Sequence, residues 1–335
     1  MSLADALAAV AWVGVTCYAL FGGADFGAGF WDLVAGGAHR GARQRALIEH
    51  SIGPVWEANH VWLIFVLVVL WTCFPPLFGA VASTLWIPLT LAAFGVIVRG
   101  SAFAFRKTVS ATWQRRIFGA AFAASSVITP FFLGAAAGAV ASGRVPPGVG
   151  AGDPVTSWLG PVPVLTGVMA VVVCAYLAAV YLTADARRAG DAALIAQLRR
   201  RALAAGVAAG AIAAGGLLFV HQDAAVLYHG LLHRGLPLVI VSAVAGVVSL
   251  ALLRWRRFLT ARFTAGVAVT AVLWAWAAAQ YPDLLTPGLT ISAAAATRPV
   301  LTATAVSLAV GAVLVVPALA WLYLLSQRSP AEGTD

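Results

Sequence analysis

Charged side chains are almost absent from nine long apolar runs, near residues 6–24, 52–74, 77–99, 117–141, 162–184, 202–220, 236–253, 263–280 and 301–325. Each run approaches the ~20 residues that an α-helix needs to cross a bilayer. A helix is suited to that setting because it satisfies its own backbone hydrogen bonds where no water can do so. Across the 335 residues, 61% are hydrophobic and 10% are charged, too few charges to cover a water-facing surface. The predicted fold class is therefore all-α: a polytopic membrane protein of about nine transmembrane helices.

Basic residues orient the chain. Eighteen of its 21 Lys and Arg lie after odd-numbered runs or in the tail, from Arg40, Arg43 and Arg45 through Arg99 to Arg328. The opposite side holds Arg144, Arg234 and Arg298. By the positive-inside rule the N-terminus is expected outside and the C-terminus in the cytoplasm. The formal net charge of +9 thus reads as loops beside anionic lipid, and a nucleic-acid partner is excluded. The N-terminal residues lack the basic start of a secretory signal, so the first run is expected to be retained.

Gly and Pro around Val145-Pro146-Pro147-Gly148 mark a loop between the fourth and fifth runs. Residues 1–141 are then expected to form a four-helix bundle carrying the polar motifs. Residues 142–161 form an outer loop, 162–328 a second bundle plus one extra helix, and 329–335 a cytoplasmic tail. Cys17, Cys73 and Cys174 are scattered in apolar runs, which argues against a disulfide framework, an iron–sulfur cluster or a zinc site.

An ionisable residue inside a membrane span is costly and calls for a reason. Glu57 stands in Ser51-Ile52-Gly53-Pro54-Val55-Trp56-Glu57-Ala58-Asn59-His60-Val61-Trp62. With Ser51 as cap and Pro54 in the first turn, Glu57 is expected six residues inside the helix, ~9 Å along its axis. Trp56, Glu57 and His60 would then share one side, the alternative being an interfacial acid among headgroups. Asp25 stands in Gly22-Gly23-Ala24-Asp25-Phe26-Gly27-Ala28-Gly29, where the glycines permit close helix contact or an irregular backbone as the first span ends. An acid at the membrane surface is the alternative for Asp25. Arg99 is expected to end the third span on the same side. Pro75-Pro76 reads as a very short turn making the second and third spans antiparallel neighbours, which gives a buried carboxylate a partner. Of the six histidines only His60 lies clearly within a span, too few for a bis-His haem or a three-ligand copper site.

These residues carry a family likeness. The run 23–29 resembles the G-x-D-x-G-x-G signature of subunit II of cytochrome bd-type quinol oxidases. Residues 52–64 are similar to that family's most specific stretch, and Ile87 through Val98-Arg99-Gly100-Ser101 to Arg106 also matches. The likeness covers about residues 15–110; beyond these, span number and loop charge agree. The chain departs from the common pattern in having Glu at 57 and His at 60, and its compact length is similar to that of the cyanide-insensitive branch.

The resemblance implies a heterodimer with a larger subunit I that carries haems b and d, or b alone. Quinol is then the substrate, dioxygen is reduced to water, and this chain binds no haem or metal of its own. A structural quinone, a small single-helix accessory subunit and membrane lipids are further partners it implies, in a bacterial inner membrane. It assigns proton entry to Glu57 and an oxygen path to Trp62; Asp25, His60 and Arg99 are expected beside the proton path, and Trp56 and Ser101 beside the oxygen path. A proton-coupled secondary transporter built on Glu57, Asp25 and Arg99 is the alternative from a different class, and a purely structural scaffold is a third.

Overall fold

The computed structural model describes residues 2–37, 41–52, 56–109 and 111–328. Side chains at 52, 56–58, 106, 107, 112, 319, 323 and 325–328 lie outside that description. The chain is almost wholly helical: α1 (Leu3–Cys17), a π-turn (Tyr18–Gly22), α2 (Gly23–Leu33), α3 (Ala42–Ile52), α4 (Trp56–Cys73), α5 (Pro75–Thr84), α6 (Trp86–Thr108) and α7 (Thr112–Ala141) come first. After the 142–160 loop follow α8 (Pro161–Arg188), α9 (Ala192–Asp223), α10 (Ala225–His233), α11 (Leu236–Arg254) and α12 (Phe258–Gln280). A two-stranded antiparallel hairpin, β1 (Asp283–Leu285) with β2 (Leu289–Thr290), leads through α13 (Ile291–Ala294) to α14 (Arg298–Arg328).

Among the described residues, eight helices are long and apolar enough to cross a membrane. A ninth span is present if α4 and α5, bent by 118° at Phe74, are counted as one broken element. An all-α polytopic membrane protein is what the apolar runs predicted.

Three local expectations are corrected. The first span does not end at the glycines; it runs from Leu3 to Leu33 through the π-turn. Pro75-Pro76 is not a tight turn but the start of α5, where proline costs no hydrogen bond because the first helical N–H groups have no partner. The third span therefore starts at Trp86 rather than 77; α6 packs chiefly on α7, while α4 packs on α1 and α14. Ser51 does not cap a helix start, since it lies in the last turn of α3. The other spans also start earlier or finish later than the apolar runs. For example, α9 begins at Ala192 with the side chain of Asp191 accepting from Leu194 N–H at 3.0 Å, and Arg199–Arg201 ride on its first turns.

The centre of the packing is α8, which touches α2, α7, α9 and α12. Its segment Ala175–Ala186 is nearly continuous buried Ala, Leu, Val and Tyr, so helices close on it from several sides. The glycines of α2 make that approach close. A Cβ at Gly27 would stand 1.8 Å from the carbonyl oxygen of Cys174, and one at Gly29 would stand 2.1 Å from Ser126 Oγ. Small residues are how helices associate where lipid is the solvent and hydrophobic burial between them gains little. Trp31 then anchors the end of α2 by donating Nε1–H to Ala175 O at 2.7 Å.

A second apolar cluster joins the opposite end of the molecule. Leu7, Phe74, Leu77, Leu85, Val145, Leu285 and Ile291 come from separate segments, so the start of α1, the bend at Phe74, the long loop and the hairpin meet there. Arg144 in that loop pairs with Asp223 at the end of α9.

Gly27→Ala should destabilise the protein, by about 1–3 kcal/mol as for other overpacked cores. Gly210→Ala, where nothing stands within 4 Å, should be neutral. Thermal unfolding of the two purified variants checks this, with equal midpoints contradicting it.

Candidate functional site

Asp25, Arg99, Asn59 and Ser126 come together from four helices. Asp25 sits on the third residue of α2, just past the π-turn, and is 5% exposed. π-turns recur where a helix must re-aim its side chains at a functional position. Arg99 lies well inside α6, about 13 Å of helix before its end at Thr108, and is 1% exposed. The expectation that Arg99 closes its span is corrected: displacement of α6 toward the C-terminus draws this guanidinium inside.

The contacts explain how it is held. Arg99 donates one N–H to Ser126 Oγ at 2.7 Å and another to the main-chain oxygen of Asp25 at 3.0 Å. Ser126 in turn donates to Phe122 O at 2.6 Å. Pro130 stands four residues after Ser126 inside α7 and has no N–H to give back to it, which loosens the ladder at this turn. The guanidinium also faces the rings of Phe122 at 4.5 Å and Phe26 at 5.0 Å, favourable placements for a cation in a dry site. The carboxylate of Asp25 is spoken for by a different group: Asn59, on the first turn of α4, donates Nδ2–H to it at 2.5 Å.

The remaining proposed site residues fall around this cluster. His60 lies beside Asn59, its ring 5.9 Å from Phe26 and 6.3 Å from Tyr18. Glu57 is the second described residue of α4; residues 53–55 and the side chains of Trp56 and Glu57 lie outside the described residues, and so does the expected depth of Glu57. Trp62 is half-buried, one turn on from Asn59, with its ring 6.2 Å from Phe65. Ser101 is exposed and lies about 200° around α6 from Arg99, so it does not join the cluster.

Asn59, Ser126 and the aromatic pair Phe26 and Phe122 are the members that charge-spotting misses. Ser125-Ser126 and Thr129 are polar residues on an apolar span, and that was the available signal. Among the described residues, Arg99 Nε, Asn59 Oδ1, Tyr18 Oη and Thr129 Oγ1 are buried without a hydrogen-bond partner. A buried polar atom without a partner is costly, so four around one guanidinium make this cluster the candidate site. No group of three or more His, Cys, Asp or Glu that could hold a metal exists among the described residues.

A second polar cluster closes the basic end. Arg45 donates to Asp32 at 2.7 Å and to Gly36 O at 2.6 Å. Gln44 donates to Trp31 O, and its side-chain oxygen accepts from Arg201 at 2.6 Å. These contacts fix the end of α2 against α3 and α9, and so fix the height of Asp25.

Comparison with known proteins bears on the fold and the family. The bd oxidase structure from Geobacillus thermodenitrificans superposes with a TM-score of 0.76 at 24% identity, covering 97% of this chain and 98% of that one, and shows the same fold. Cytochrome bd ubiquinol oxidase subunit 2 of Bacillus subtilis is 33% identical over 112 residues, which are 33% of this chain and 32% of that protein. Cytochrome bd-I ubiquinol oxidase subunit 2 of Escherichia coli is 26% identical over 126 residues, 38% of this chain and 32% of that protein. The aligned stretch is thus about a third of either relative's length. Residues 3–326 match the family described as cytochrome bd terminal oxidase subunit II, and the chain belongs to that family.

Proposed function

We propose that this chain is the haem-free subunit of a terminal quinol oxidase in a bacterial inner membrane, paired with a larger subunit that holds the haems. The complex oxidises quinol and reduces dioxygen to water. The observation that carries the reading is the pairing of two almost fully buried ionisable residues, Asp25 and Arg99, on spans that are otherwise apolar. Reduction of oxygen consumes protons, and these must cross a low-dielectric region to reach it. A carboxyl group that exchanges its hydrogen bond with Asn59 for a proton is suited to that step.

In this reading Glu57 admits protons from the basic, cytoplasmic side, and Asp25 is the next station. Arg99 keeps its field on the site without a direct ion pair to the Asp25 carboxylate, while Tyr18 Oη, Asn59 Oδ1 and Thr129 Oγ1 offer places for bridging water. His60 orients its neighbours. Trp62 borders an apolar route for oxygen, with Trp56 nearby; Ser101, on the far side of α6, belongs to a contact surface rather than to this cluster. Val61, Ile64 and Trp71 on α4, and Phe94 and Ile97 on α6, are exposed apolar residues suited to contact with the haem subunit.

Haems b and d, or b alone, together with any structural quinone and single-helix subunit, are assigned to the assembled complex. Residues 1–141 supply the polar bundle and 162–328 the supporting helices, with the 142–161 loop outside and 329–335 in the cytoplasm. A coupled transporter fits less well. The match to the terminal oxidase subunit II family runs over residues 3–326, nearly the whole chain, and favours the oxidase reading.

Reporter fusions in the loops near 148 and 190 should give opposite signals, the first outside and the second in the cytoplasm; the same signal at both would overturn the topology. Asp25→Asn and Glu57→Gln should each lower quinol-driven oxygen consumption roughly tenfold or more, with haem content of the purified complex unchanged. Undiminished turnover in both variants, with normal assembly, would place proton entry elsewhere.

A further inference from the structure

An apolar groove of about 720 Å³ opens where α8, α11, α12 and the π-turn meet. It is bordered by Leu20 of the π-turn, Tyr181 of α8, the start of α11, and α12 from Leu259 to Trp274. Along α12 those limits span about 22 Å, the scale of one leaflet from acyl chain through headgroup rather than of a compact metabolite. Gly266 forms part of the floor: a Cβ there would meet nothing nearer than Tyr181 Oη at 3.9 Å and Leu20 at 4.0 Å. Phe263 and Leu259, 72% and 60% exposed, leave the groove open along its side.

One end of this groove is charged. Arg262 lies among its lining residues, with its guanidinium 4.2 Å from the Tyr181 ring centre. Asp185 is the acid that faces it, at 3.7 Å from Arg262 and 3.6 Å from Arg188, both beyond direct hydrogen-bond distance. Arg254 ends α11, and Arg256 and Arg257 stand on the turn that leads into α12. The single carboxylate is outnumbered, so the local charge is positive. The start of α12 has no side-chain cap and adds its own partial positive charge at the same end.

We infer that this groove is a built site for one anionic phospholipid, with an acyl chain along α12 and the phosphate beside Arg262 and Arg188. Charge complementarity selects the occupant. A neutral quinone ring or a transmembrane peptide would gain nothing from a cationic end, whereas an anionic headgroup gains from each guanidinium near it. Such a lipid would seal α11 and α12 against α8 and the π-turn that aims Asp25.

The test is the lipid retained by the purified oxidase complex after exhaustive washing in mild detergent, quantified by mass spectrometry. Wild type should keep phosphatidylglycerol or a related anionic phospholipid in proportion to the complex. Gly266→Leu, which fills the floor, and Arg262→Gln, which removes the charge, should each lower that amount about fivefold, and Arg262→Lys should keep most of it. Added dioleoyl phosphatidylglycerol should raise the unfolding midpoint of delipidated wild type more than dioleoyl phosphatidylcholine does, and this difference should vanish in Gly266→Leu. Equal retention in wild type and Gly266→Leu, equal response to the two lipids, or a quinone as the retained molecule would each overturn the inference. Haem content and oxygen consumption are not its readouts, so it can fail while the oxidase reading stands.

Discussion

Arg99 is a permanent cation with almost no exposure, on a helix whose other residues are mostly apolar. Burying such a charge is tolerable only when hydrogen bonds and polarisable groups replace its water. The surrounding structure follows from that need. Ser126 and the backbone of Asp25 accept its protons, and Phe26 and Phe122 present their rings. Gly29 lets Ser126 come close, and Gly95 makes room for Thr129 one turn away, where a Cβ would stand 2.2 Å from Thr129 Oγ1. The helices carrying the family signature are thus packed around one guanidinium. A change at any of these positions is felt at Asp25.

The same interaction gives the carboxylate its setting. Asp25 lends its main-chain oxygen to Arg99 while its side chain takes the amide of Asn59. The cation sits near the acid without being bound to its carboxylate. A tight ion pair would hold a carboxylate in its charged form; a single amide donor can be exchanged for water or a proton more readily. The π-turn matters here because it sets the angle at which α2 leaves α1, and the cluster of Arg45, Gln44, Trp31 and Arg201 sets its height.

Much of this was legible in the residues, and the failures have physical causes. Spans were visible because lipid enforces length and apolarity. The polar signatures pointed to Asp25 and Arg99, which the structure joins. The glycine run of 22–29 was ambiguous between a helix end and a packing face, and packing decided: in lipid, small residues serve close approach and the backbone stays helical. Pro75-Pro76 was misread as a turn because proline is equally at home in the first turn of a helix. That error shifted α6 and put Arg99 at the wrong depth. Asn59 and Ser126 escaped notice because they bear no charge, although hydrogen bonding to an ion is the role for which neutral polar residues are retained in a span.

The central claim is that the Asp25 carboxyl exchanges its proton or hydrogen bond as the complex turns over. Infrared difference spectra of the purified oxidase, reduced minus oxidised, in light and heavy water, test it directly. A carboxyl band that shifts with solvent isotope should be present in wild type, absent in Asp25→Asn and displaced in Asn59→Ala. Identical carboxyl bands in wild type and Asp25→Asn would contradict the claim and leave Asp25 as a structural partner of Arg99.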